Sequence, residues 1–220
     1  PRPMQRLLST LFIVLLVAAA NLGWWAYANR PVKVQDWKGP VEGFAFSAFQ
    51  RDQSPFDSTY PTPEQLESDI AVLARHTKRI RAYTSTENPS LPDIVQRHGL
   101  KLTAGAWLDR RRDHNRLELD TLIKAARSHP AIERVIVGNE SVLRGDLTAK
   151  QLIPYLDRAR RALKVPVSTA EPWHVWLKYP ELAQHVDYIA VHLLPYWEGI
   201  PRRNAIKDVL HRYDELRAVF

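Results

Sequence analysis

The pattern of apolar and polar positions changes twice along this chain. From Leu7 to Ala28 it is almost continuously apolar, broken only by Ser9, Thr10, Asn21 and Gly23; a stretch of about 20 such residues matches the hydrocarbon core of a bilayer. Residues 29–40 carry Pro31, Gly39 and Pro40 among polar neighbours and read as a linker. From residue 41 onward, short strand-like runs alternate with amphipathic segments. The runs are Gly43-Phe44-Ala45-Phe46, Arg79 to Tyr83, Leu102 to Ala106, Arg134 to Val137, Val165 to Thr169 and Tyr188 to Val191.

Helix signals stand between them. Thr62-Pro63-Glu64-Gln65 joins an N-cap, a first-turn proline and a capping-box glutamine ahead of an apolar face at Leu66, Ile70, Leu73 and Ala74. Thr148 to Gln151 repeats the box ahead of Leu152, Tyr155, Leu156, Ala159 and Leu163. Leu119, Leu122, Ile123 and Ala126 mark a third face, and Ile206, Val209, Leu210, Tyr213 and Leu216 a fourth. Ser90 to His98, stopped by Gly99, is a shorter helix, and Trp173 to Gln184 is the least regular connection.

This alternation predicts an α/β protein with parallel strands and right-handed crossovers. A doubly wound sheet would carry a glycine-rich phosphate loop after its first strand. Phe46 to Arg51 contains no glycine, so a (β/α)₈ TIM barrel is the better fit. Eight units of roughly 30 residues need about 240, whereas about 180 follow the linker. The expected architecture is therefore a TIM barrel truncated after about six βα units and preceded by one transmembrane helix. Its domains are a cytoplasmic tip and anchor over 1–28, the linker over 29–40, and a partial barrel over 41–220.

Arg2 and Arg6 precede the apolar stretch, and Trp24, Trp25 and Tyr27 end it like an interfacial aromatic belt. The N-terminus is expected inside and the barrel outside. Ala26-Tyr27-Ala28 offers the alternative of a cleaved signal peptide. An uncleaved anchor is favoured because the apolar stretch runs long and ends in bulky aromatics.

The net charge of +7 raises the question of nucleic acid, but Lys and Arg are scattered. Arg110-Arg111-Arg112 is the only run of three, and no nucleic-acid motif accompanies it, so nucleic acid is not an expected partner. Cysteine is absent, which excludes disulfides, thiolate metal sites and cysteine nucleophiles.

Candidate chemistry gathers after the strands. Val135-Ile136-Val137-Gly138-Asn139-Glu140 is a buried-type strand ending in a carboxylate, and strand ends carry the chemistry in parallel α/β folds. Other strand ends offer Arg81 and Tyr83, Trp107 and Asp109, Glu171 with Trp173 and His174, and His192 with Tyr196, Trp197 and Glu198. Carboxylates, amides and aromatic rings suit sugar chemistry: two carboxyl groups flank a glycosidic bond while Trp and Tyr stack on sugar faces. Each residue also has a plainer role. Trp107 and Trp197 would pack partly in the core, His192 would be a satisfied histidine inside the barrel, and Asp109 and Glu198 would be solvated loop charges. His174 and His192 lack a third ligand at suitable spacing, so neither a metal nor a cofactor is expected.

The segments Arg79 to Tyr83, Val135 to Glu140, Val167 to Trp173 and Val191 to Trp197 together resemble glycoside hydrolase family 17. More narrowly, they resemble the extracytoplasmic N-terminal domain of bacterial membrane-bound β-(1,3)-glucan glucosyltransferases. The resemblance runs from about Gly43 to the end of the chain. It implies a retaining enzyme, with Glu140 as general acid/base, Asn139 holding the sugar 2-hydroxyl, and Arg81 and Tyr196 beside the nucleophile. Tyr83, Trp173 and Trp197 become candidate sugar platforms, and Trp107 and His192 further substrate contacts.

The family's nucleophile lies on the seventh strand in a Gly-Glu-x-Gly-Trp-like segment that this sequence lacks. Glu171 is weighed as a substitute and disfavoured, since a nucleophile must reach the opposite face of the sugar. The expected function is that of a membrane-anchored β-1,3-glucan glucanosyltransferase, present as an N-terminal fragment inactive by itself. The expected partners are β-glucan, the membrane and downstream domains of the parent chain, with the barrel periplasmic at a bacterial inner membrane. A β-1,3-glucan hydrolase and a non-catalytic, membrane-tethered glucan-binding module are the alternatives.

Overall fold

The structure, a computed structural model, describes every residue except 1, 32, 34, 35 and 37. Residues 32, 34, 35 and 37 belong to the expected linker, which therefore lies partly outside the described residues. The chain divides into two units, Pro1–Trp37 and Lys38–Phe220.

In the first unit a single helix, α1, spans Arg2–Ala28. Its segment Pro3–Ala28 is long and apolar enough to cross a membrane. At 1.5 Å per residue that segment is about 39 Å long. Asn21, a polar side chain within the apolar stretch, donates its amide to the carbonyl of Val17 at 2.8 Å. Near the end of the helix, Trp24 and Tyr27 pack at 6.1 Å, and Arg30 lies 4.3 Å over the Tyr27 ring.

The second unit repeats strand and helix. Its elements are β1 (Phe44–Ala45), α2 (Pro63–Leu73), β2 (Arg79–Arg81), α3 (Leu91–Arg97), β3 (Lys101–Ala106), α4 (Arg112–Ser128), β4 (Ile132–Asn139), α5 (Ala149–Ala162), β5 (Val167–Pro172), α6 (Trp173–Lys178), β6 (Ala190–His192) and α7 (Ala205–Arg217). All neighbouring strands pair in parallel, in the order β1-β2-β3-β4-β5-β6. Strictly sequential order is what a barrel requires, and a doubly wound sheet would reverse it. The six strands form an open half-barrel. Because all run the same way, their C-terminal ends share one rim.

The core lies between strands and helices. Val135 and Val137 of β4 are fully buried, as are Ile70 of α2, Leu119 and Leu122 of α4, and Leu152 and Leu156 of α5. Both predicted capping boxes form: Gln65 N–H reaches Thr62 Oγ1 and Gln151 N–H reaches Thr148 Oγ1, each at 3.3 Å, while the glutamine side chains accept from the threonine N–H groups. Thr148→Ala is expected to cost about 1 kcal/mol, measured by thermal unfolding, since it frees one helix donor without touching the core. An unchanged midpoint would mean that the box is idle.

Three expectations shift. The run at Val165 to Thr169 begins two residues later, as Val167–Pro172, and thereby carries Glu171 inside the strand. The irregular stretch at Trp173 to Gln184 is a short helix, α6, followed by a 3₁₀ segment over Pro180–His185. It is pinned by the fully buried Trp176, whose indole N–H donates to Ala190. On α7 only Leu216 is buried, while Ile206 is 75% exposed. Among the described residues, nothing covers that side of the helix next to the open end of the sheet.

Candidate active site

The rim at the end of β4 is built by two unusual backbone conformations. Gly138 has φ +84°, and a Cβ there would come 2.9 Å from Ser141 Oγ. Glu140 has φ +53°, a left-handed conformation that costs a residue bearing a Cβ on the order of 1–2 kcal/mol. Surrounding bonds hold it there. Glu140 N–H donates to Ala170 at 2.7 Å, and Arg144 N–H donates to Glu140 O at 2.8 Å. The N–H groups of Val142 and Leu143 donate to the two carboxyl oxygens of Glu171, at 2.8 and 3.2 Å.

This turn delivers Glu140 into a network with three other side chains. Glu140 Oε1 lies 2.5 Å from His192 Nδ1, His192 Nε2 lies 3.0 Å from Arg81 Nη1, and Arg81 Nη2 donates to Asn139 Oδ1 at 2.6 Å. A guanidinium only donates, so His192 Nε2 must accept; the ring proton then sits on Nδ1 and is given to Glu140. Arg81 therefore selects the histidine tautomer that serves Glu140. Burial pulls the Arg81 guanidinium below its ordinary value, against the pull of Tyr83, Tyr188 and Glu140, and its ring neighbour is Tyr83 at 5.2 Å.

Glu171 is fully buried. Burial pushes its carboxyl up to about 7; the N–H groups of Val142 and Leu143 oppose this, the Glu140 charge adds to it, and Arg144 opposes it. Both of its oxygens accept from backbone.

Tyr83 and Trp107 line a cavity of about 420 Å³ on the β1–β3 side of the rim, together with Phe46, Phe49 and Glu87. Trp107 is half-buried and stacks under Arg144, 4.1 Å from the ring centre. Arg144 also donates to the carbonyls of Asn139 and Leu108 and pairs with Asp146 at 2.8 Å.

The remaining candidates stand apart from this network. Trp173 opens α6, where its indole N–H donates to Glu198 at 2.7 Å and Arg212 of α7 covers its ring at 3.9 Å. Glu198 is thus a bonded partner rather than a free loop charge. Tyr196 and Trp197 are 82% and 77% exposed in the turn after β6 and pack on one another at 5.4 Å. That exposure overturns the expectation of a partly buried Trp197. Among the described residues, no hydrogen bond joins Tyr196 to Arg81, Asn139 or Glu140. Asp109 is no solvated charge either: burial opposes its ionisation, but Arg111 outweighs that and holds its carboxyl below the usual range.

Two residues were missed from sequence. Glu118 on α4 is fully buried and accepts from the N–H groups of Ser85, Thr86 and Trp107 and from the Thr86 hydroxyl. Arg144 ties the β4–α5 turn to β3. Neither carries a local signal, because every partner of Glu118 and the Leu108 partner of Arg144 lie on other elements. Among the described residues no group of three His, Asp or Glu side chains is placed to hold a metal.

A family described as the BtgE/BtgC glycoside hydrolase domain matches residues 43–220. The probable glucan endo-1,3-beta-glucosidase btgC of Aspergillus clavatus is 28% identical over 158 residues, covering 64% of this chain and 22% of that protein. The glucan 1,3-beta-glucosidase of Saccharomyces cerevisiae is 21% identical over 168 residues, covering 68% of this chain and 53% of that one. The Aspergillus relatives thus share less than a quarter of their length with this chain. Among solved structures, an active-site mutant of Rhizomucor miehei beta-1,3-glucanosyltransferase in complex with laminaritriose superposes with a TM-score of 0.70 at 24% identity. That likeness covers 81% of this chain and 66% of the other, and shows a shared fold.

Proposed function

Since this chain belongs to the BtgE/BtgC glycoside hydrolase domain family, we propose that it carries the acid/base half of a retaining site acting on β-1,3-glucan. The observation that carries this reading is the Glu140 carboxyl at the end of β4, bonded through Oε1 to a histidine whose tautomer Arg81 selects. Among the described residues, Glu140 Oε2 has no hydrogen-bond partner, so that oxygen is the one left to carry a proton to a glycosidic oxygen. Once the leaving group departs, the same oxygen is a base for the incoming hydroxyl. Asn139 accepts from Arg81 through Oδ1, which leaves its amide N–H groups to donate to a sugar 2-hydroxyl. Tyr83 and Trp107 offer apolar ring surface beside the cavity where sugar rings would lie.

Glu171 has both oxygens committed to backbone, so the reading takes its nucleophile from a strand following β6 in the parent protein. The likeness to bacterial membrane-bound glucosyltransferase domains favours a sugar as the acceptor, while the curated relatives, named as glucosidases, favour water. The two differ only in which hydroxyl reaches the second step. Incubating the full-length protein with laminari-oligosaccharides distinguishes them: longer products mean transfer, and shorter products alone mean hydrolysis. Binding with no new product would overturn the enzyme reading in favour of a glucan-binding module.

We read α1 as an anchor that keeps the barrel unit outside a bacterial inner membrane, with a cleaved signal sequence as the alternative. Both place the barrel outside the cytoplasm, and the mass of the mature protein separates them.

A further inference from the structure

Beneath the rim, Glu118 and Glu171 are buried carboxyl groups that the proposed chemistry does not use. They differ in what they hold. Glu118 braces the end of β3 and the loop after β2, whereas the partners of Glu171 are Val142 and Leu143, two and three residues beyond Glu140.

We propose that Glu171 is the positioning residue for Glu140: its ionised carboxyl grips both N–H groups of the 142–143 turn and so keeps Glu140 in the left-handed conformation that brings it to His192. The geometry requires some such restraint. A non-glycine residue at φ +53° relaxes unless its neighbours over-determine it; here Glu140 N–H is bonded to Ala170, Arg144 N–H to Glu140 O and the Ser141 hydroxyl to Leu108, and the grip on Val142 and Leu143 is the restraint among these that a titrating group supplies.

The grip depends on charge. An ionised carboxyl accepts at both oxygens, but a protonated one has an O–H that faces an N–H, so one tether is lost. Burial, with the Glu140 charge adding to it, outweighs the two amides and the Arg144 guanidinium and places the titration of Glu171 at about 7. The turn is doubly held above that pH and singly held below it. The unfolded chain releases this proton near the ordinary glutamate value of 4.5, while the folded chain keeps it until about 7. Stability therefore falls as pH rises through that window.

The inference rests on the proposed function only in taking Glu140 as the proton donor, and its test does not need turnover. In the full chain, labelled with ¹⁵N-valine and ¹⁵N-leucine and held in detergent, the amide signals of Val142 and Leu143 are expected to titrate together with a midpoint near pH 7. The titration should persist in Glu140→Gln and vanish in Glu171→Gln, whose stability should also lose its slope in that window. In the full-length protein, Glu171→Gln should lower kcat about 10- to 100-fold with KM within about twofold, because it displaces the acid without removing a sugar contact.

Absence of the titration from the wild type, its survival in Glu171→Gln, or its loss in Glu140→Gln would each overturn the proposal. Should Glu171→Gln fail to fold, Glu171→Asp replaces it. The shorter carboxyl cannot reach both amides, and an unshifted common midpoint in that variant would be equally fatal. Titrating amides in a protein without turnover would sink the enzyme reading and leave the tether standing.

Discussion

Glu140→Gln is expected to reduce turnover of laminari-oligosaccharides by the full-length protein about 10²–10⁴-fold, the range over which a positioned general acid/base contributes. The amide removes the only proton Glu140 has to give, yet its oxygen still accepts from His192 Nδ1, so the network of Arg81, His192 and Asn139 keeps its bonds. Thermal unfolding should therefore move by no more than about 0.5 kcal/mol in equivalent stability. The loss should depend on the leaving group. An aryl laminarioside with an acidic phenol needs little protonation to depart, and its first step should be largely spared. Equal losses on natural and activated substrates would point to a damaged site, and undiminished turnover would remove Glu140 from the chemistry.

The second large effect concerns stability. Glu118→Ala strips acceptors from the backbone N–H groups of Ser85, Thr86 and Trp107, at 3.0, 3.2 and 3.0 Å, which converge on a carboxyl that is itself fully buried. Each unsatisfied buried donor costs about 1–3 kcal/mol, and because the three residues that donate are only partly buried, the substitution should cost about 3–6 kcal/mol, the lower part of their summed range. That is a large share of the roughly 5–15 kcal/mol by which domains are stable. The melting temperature should fall by about 10–20 °C, read by circular dichroism. Glu118→Gln keeps the shape and one acceptor but turns an amide donor toward the N–H cluster, so it should fall between the two. A shift below about 3 °C for the alanine variant would mean that the loop reorganises to satisfy its own donors. Since Trp107 is held from this carboxyl, sugar binding in the adjoining cavity should weaken as well.

The elements that local patterning marked clearly are those that formed as expected. The two capping boxes involve residues three apart, and β4 is a buried apolar run with no competing signal. The boundaries that moved are those where tertiary contacts outbid local pattern. β5 runs on through Ala170-Glu171-Pro172 because Ala170, Glu171 and Pro172 pair with Ala190, Val191 and His192. Trp173 carried the residue type of a sugar platform, but Arg212 occupies its ring, and nothing within the 167–173 segment announces a cation from α7.

The sequence by itself determined the alternation of strand and helix, the sequential parallel order that follows from it, the apolar N-terminal helix, and the carboxylate at the end of β4. Periodicity and capping are relations between residues a few positions apart, so they can be read along a line. Only the tertiary structure decided what surrounds that carboxylate. The histidine tautomer that serves Glu140 is set by an arginine 111 residues away, and the turn behind it is held by a carboxyl 28 to 29 residues downstream. Such groups acquire a proton state or a partner only when folding removes water and brings distant strands to one rim, and no spacing in the chain encodes that encounter.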